Sequence, residues 1–225
     1  MMTSTIPPGA PRHRPLDVIT AGVAGPARHE EVAELDTTAP PTTTRRRAGL
    51  ADPMHPSVLG SIIGGAGATV FVLVNRSSLL PGAWPAVALL LWIVLVAAAV
   101  WTVLLRPRVL ADPEPPSRFA GLVYLACVGG MLVGTVVGHA LLAALDRTEL
   151  MPAVVVLAVG LHFLPFAAAF HAPVFRWLGC GVATLGVLGL LWGWAGGAVA
   201  AAAVAVAAGL LMLAVITDAA WADGR

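Results

Sequence analysis

Three histidines are the side chains best placed to move a proton near neutral pH, because His139, His162 and His171 lie in or beside long apolar stretches. An ionisable group inside a membrane-length apolar segment is a functional candidate by default, since lipid does not solvate its charge. His162 belongs to Gly160-Leu161-His162-Phe163-Leu164-Pro165, and Pro165 has no N–H to give to the carbonyl of Leu161. This predicts a kink close to His162, with a freed carbonyl and an imidazole near each other at mid-membrane. Such a pair can hold a proton, a water chain or a small polar substrate. The plainer alternative is a neutral histidine bonded to a backbone carbonyl across the bundle. On a continuous helix His162 and His171 fall on opposite faces, about 13 Å apart along the axis, and His139 differs from His162 in depth by roughly 12 Å. Zinc needs ligand nitrogens about 2 Å from the ion, so no shared metal site is expected, and no cofactor either.

Glycines four residues apart are the most regular feature. They are Gly60 and Gly64, then Gly130, Gly134 and Gly138, then Gly189 and Gly193 with Gly197 just beyond. Without side chains on one face, two helix backbones approach closely and gain dispersion contacts that lipid would not supply. The stripes serve either an interface with another helix or a sliding surface, or else close packing inside one bundle; the last is preferred because a multi-helix chain offers many internal partners.

The absences narrow the chemistry further. The chain has no Lys and no Gln, and its apolar segments hold no Asp, Glu, Asn or Arg. There is no His-Glu-x-x-His, no Gly-x-Ser-x-Gly and no phosphate-cradling Gly-x-x-x-x-Gly-Lys. A transporter coupled through a membrane carboxylate is likewise disfavoured. The hydroxyls Ser57, Ser61, Thr69, Thr102, Thr135, Thr184 and Thr217 are expected to bond between helices, and Cys127 and Cys180 to be small buried residues.

The elements that must position these residues follow from composition. Of 225 residues, 58% are hydrophobic and 11% charged, with mean hydropathy +0.87, whereas a soluble domain carries roughly 25% charged residues. A net charge of +1 gives no general attraction to nucleic acid. The skew toward Ala, Gly, Pro, Val and Arg reads as a GC-rich, bacterial coding sequence. Residues 1–56 hold nine of the eighteen prolines and twelve of the twenty-five charges, the signature of a disordered tail. Met54 offers an alternative start that would discard most of that tail.

Six uncharged segments follow, at about 57–74, 86–105, 119–142, 151–170, 177–194 and 198–217. Each is about long enough to cross the ~30 Å hydrocarbon core as a helix. The last two are divided only by Ala195-Gly196-Gly197, but as one helix they would be about twice the core thickness, so a tight turn is expected there. The expected fold is therefore an all-α integral membrane protein, a six-helix transmembrane domain over 57–217 with a short tail at 218–225. With the N-terminus inside, Arg45 to Arg47, Arg106, Arg108, Arg118, Arg176 and Arg225 fall on the cytoplasmic side and Arg76 and Arg147 outside, so both termini are expected in the cytoplasm. The loop from Arg106 to Arg118 reads as an extended connector.

Gly160-Leu161-His162-Phe163-Leu164-Pro165-Phe166-Ala167, with Phe170, Pro173 and Gly179, resembles a motif of small, uncharacterised multi-pass bacterial membrane proteins. The resemblance covers about twenty residues and implies no activity. The expected role is a non-enzymatic structural or accessory component of the cell membrane. Its partners are the bilayer and either a second copy or another membrane protein, with no nucleic acid. The alternative is a small permease or channel built on the kinked fourth helix at His162 and Pro165.

Overall fold

The computed structural model describes residues 46–76, 80–110, 115–172 and 174–223. These residues are helical almost throughout, and the described part contains no strand beyond an isolated backbone pairing of Arg47 with Arg108. Five helices are long and apolar enough to cross a membrane. Helix α1 spans Pro56–Asn75 and α2 Trp84–Ala99. The latter continues as a wider π turn over Val100–Leu105, closed by Arg106 N–H on the carbonyl of Trp101 at 2.8 Å. Helix α3 is Ala120–Ala144, α4 Met151–Ala169 and α5 Val174–Ala222.

Local chemistry sets these ends. Proline occupies the first turn of α1, α2 and α4, where its missing N–H costs nothing. After α3, Asp146 adopts a left-handed φ of 53°; its N–H bonds to Ala143 O at 3.2 Å and that of Arg147 to Leu142 O at 2.8 Å. This double bond satisfies the last carbonyls and stops the helix. His171 does the same after α4, with φ 51° and Ala172 N–H on Ala167 O at 3.2 Å.

Helix α5 is 49 residues long, but its backbone leaves the helical region at Gly197, where φ is 62° and ψ is −150°. The halves fold back on each other. A Cβ placed on Gly189 would lie 3.0 Å from Val204, and one on Gly181 3.0 Å from Leu211. Residues at similar distances before and after Gly197 thus face one another, as in an antiparallel hairpin. This hairpin is the hub: Leu178, Val182, Ala205, Ala208, Met212 and Leu213 form the main core with Ala68 and Phe71 of α1 and Val156 of α4. Helix α3 is at the other extreme. It packs chiefly on α4, and only 6% of its apolar window is buried in protein against 50% for α5.

The chain ends and loops gather arginine at one end of the bundle. Arg47 pairs with Arg108, Arg106 donates to the carbonyl of Trp221 at 3.3 Å, and Ser117 N–H reaches Ala169 O at 3.2 Å. The start of α1 and the ends of α2, α4 and α5 therefore share that face with Arg118 and Arg176. Arg147 marks the other end, 5.1 Å over the ring of Trp194 near the hairpin tip.

Several sequence expectations change. Residues 1–45 lie outside the described residues, but the rest of the supposed tail is built onto the helices. Gly49–Ala51 forms a 3-10 turn, and Gly49 is buried so closely against the backbone of Val103 that a Cβ would collide. A chain starting at Met54 would lack these contacts. The tail at 218–225 is helical as far as Ala222. The loop after α2 is no free connector, since Arg108 is buried and paired with Asp223. Cys127 is half-buried and Cys180 exposed on the protein surface. Most in-span hydroxyls bond back to their own helix, four residues earlier: Ser61 to Ser57 O, Thr135 to Met131 O and Thr217 to Leu213 O. Thr69 alone among them is seen to join two helices, accepting from Trp92 Nε1 at 3.2 Å.

Candidate functional site: a groove between α3 and α4

Helices α3 and α4 run antiparallel, and the small residues along their contact decide how closely. At Gly138 they touch, for a Cβ there would overlap Val154. One to two turns away they part. Gly130 and Gly134 have nothing within 4 Å of where a Cβ would stand, and a groove of about 330 Å³ opens between the helices. Cys127, Met131, Leu157, Leu161, His162 and Pro165 complete most of its wall.

The structure thus brings together four residues singled out in the sequence: His162, Pro165, Gly130 and Gly134. It leaves His139 out. With Gly138 beside Val154, His139 lies about nine residues of α4 from the level of His162, or roughly 13 Å. Among the described residues no three of His, Cys, Asp and Glu gather as metal ligands would.

Helix α4 keeps its helical course through Pro165 to Ala169. The expected encounter between the imidazole and the carbonyl freed at Leu161 does not form; Nδ1 of His162 bonds instead to the carbonyl of Val159, one turn back. A carbonyl can only accept, so Nδ1 carries the proton and, in the neutral ring, Nε2 is left as an acceptor. Beside it the rings of Phe163 and Phe166 approach within centroid distances of 4.2 and 5.4 Å. The groove is apolar with one imidazole in its wall. It suits a hydrocarbon surface or a helix side chain, and can accept one hydrogen bond.

Two features escaped sequence reasoning. Phe166 stacks on Tyr124 and Phe163 on Phe175, with Phe170, just past the end of α4, edge-on to Phe166, so that aromatic rings tie α3, α4 and α5 at one end. Their 3- and 4-residue spacing was the available signal. The glycines that join α4 to α5 are Gly160, Gly179, Gly186 and Gly189, and Gly193 meets Leu150 just before α4. A Cβ on Gly186 would lie 2.5 Å from the backbone of Leu157, and one on Gly179 2.7 Å from Leu164. Gly179, Gly186 and Gly193 recur every seven residues, two turns apart, and a search at spacing four passes over the first two.

The fold and groove define an all-helical protein of membrane-type helices. No family model, curated protein or solved structure matches the chain.

Proposed function

We propose that the chain is a six-span, non-enzymatic component of a bacterial cytoplasmic membrane that associates through α3, with both termini in the cytoplasm. The six crossings rest on counting the two halves of α5 separately, since one 49-residue helix would be more than twice the length the hydrocarbon core requires. The orientation rests on the arginine-rich end facing inward.

The observation that carries the role is the contrast among the glycines. Gly160, Gly179, Gly186, Gly189 and Gly193 are filled by neighbouring helices, whereas Gly130 and Gly134 remain open on the least buried helix. Lipid chains are as apolar as leucine, so close backbone approach rather than hydrophobicity would drive a partner helix there. A second copy is the simplest partner. Energy transfer between differently labelled copies in liposomes is expected for the native protein and lost in Gly134→Leu, whose bulk occupies the groove from a position where a Cβ meets no protein atom within 4 Å. Gly186→Leu, by contrast, should not fold. Copies that stay monomeric, or that associate unchanged in Gly134→Leu, would overturn this reading.

A second reading is favoured by one observation: the groove reaches His162, so this imidazole is not sealed by protein. A small permease would use it as a polar stepping point. Proton flux into liposomes should then exceed that of protein-free vesicles and fall in His162→Phe. Equal flux with and without protein removes the permease reading.

A further inference from the structure

Among the described residues Arg108 is the largest fully buried side chain, at 1% exposure. Its backbone is pinned to Arg47 by two hydrogen bonds, Arg47 N–H to Arg108 O at 2.9 Å and the reverse at 3.1 Å. Its guanidinium donates through Nη1 to Oδ2 of Asp223 at 2.9 Å, and that carboxylate is half exposed. The other two nitrogens, Nε and Nη2, are buried and have no hydrogen-bond partner among the described residues.

These two atoms belong together. In a guanidinium the N–H of Nε and one N–H of Nη2 point the same way and form a side-on edge that matches two oxygens of a carboxylate or phosphate. A buried cation is tolerated when it is paired and its donors are used, and here one whole edge is unused. Burial pulls the Arg108 pKa below its ordinary value, and Asp223 opposes that, yet a guanidinium stays charged throughout.

The surroundings select an anion. The edge lies where the segment before α1, the end of α2 and the end of α5 meet. Arg47 and Arg106 lie there, Arg106 stacked 4.1 Å over Trp221, and the described acidic groups of these segments are Asp52, Asp218 and Asp223. If the helices cross a bilayer as proposed above, this end lies at headgroup level, where phosphate is the abundant oxyanion.

We propose that the Nε–Nη2 edge of Arg108 is a binding site for a phosphate group, supplied by an anionic lipid headgroup or by free phosphate. The phosphate chemistry stands on Arg108 alone; only the lipid source rests on the membrane-spanning reading. Because the edge is buried, the chain around it must part to admit the anion. The Arg47–Arg108 pairing, held by two backbone bonds, is the contact to release, so exchange should be slow.

The test titrates the full-length protein in detergent with inorganic phosphate, with phosphatidylglycerol, and with a diacylglycerol of the same chains, following the thermal midpoint. A ligand that binds only the folded form raises it saturably. A rise is expected with a phosphate-bearing ligand and none with diacylglycerol. A rise with phosphatidylglycerol alone assigns the headgroup, and one with inorganic phosphate assigns the free ion. Arg108→Lys keeps the charge but loses the edge, so affinity should fall about tenfold or more, while Arg47→Lys keeps it. No rise with either phosphate source, an equal rise with diacylglycerol, or unchanged affinity in Arg108→Lys overturns the proposal. Should Arg108→Lys fail to fold, dipolar coupling between arginine side-chain 15N and ligand 31P in the native protein decides. It should persist in Arg47→Lys and in Arg106→Lys, and its absence overturns the site.

Discussion

At φ 62° and ψ −150°, Gly197 occupies backbone space that a Cβ closes to other residues. Nothing lies within 4 Å of where that Cβ would stand, so substitution there tests backbone strain with no contribution from crowding. Gly197→Ala should cost about 1–3 kcal/mol of stability, read from unfolding in denaturing detergent. An unchanged midpoint would mean the chain turns elsewhere. The need for a turn was legible in the sequence, because the apolar run from Trp177 to Thr217 is too long for one crossing. Which of Gly196 and Gly197 carries it was not, since both are glycine and the choice depends on how the two halves meet. His162 shows the reverse. Its placement in an apolar helix was legible, but its bond to Val159 depends on a side-chain rotation that spacing does not encode.

Helix ends illustrate how local chemistry decides elements. Asp146 stops α3 in a left-handed conformation that costs an L-residue energy, least for Asp or Asn and more for a β-branched side chain. Asp146→Val should therefore destabilise the protein by about 1–2 kcal/mol and Asp146→Gly should not, as measured by thermal unfolding. Equal losses in both would assign the effect to the carboxylate instead. The first four apolar segments read from the sequence coincide closely with helices, and the last two fall together within α5, because charge is excluded from them. The contacts between helices were far less legible. Glycine spacing marks faces that allow close approach, but it does not say whether a neighbour fills them. The stripes at Gly189 and Gly193 are filled, those at Gly130 and Gly134 are open, and Gly60 is open while Gly64 lies near Ile216. The same limit explains Arg108. A loop arginine reads as solvated until the end of α5, 115 residues later in sequence, is brought against it.

On the scale of the whole molecule, the arginine-rich end and the hairpin of α5 make one joint claim. Arg47, Arg106, Arg108, Arg118 and Arg176 lie at one end, with both described chain termini. The tip at Ala195–Gly197 and the Asp146 turn lie at the other, joined by Arg147 over Trp194. Six crossings put the tip outside the cell and the end of α5 inside, whereas a continuous α5 would cross once. The direct test is labelling of single cysteines in intact cells with a membrane-impermeant maleimide, after Cys127 and Cys180 are replaced by Ala. Ala195→Cys should label to the same extent as Asp146→Cys, and Ala222→Cys should label only after the cells are opened. A protected Ala195→Cys with a freely labelled Ala222→Cys would contradict the six-span account.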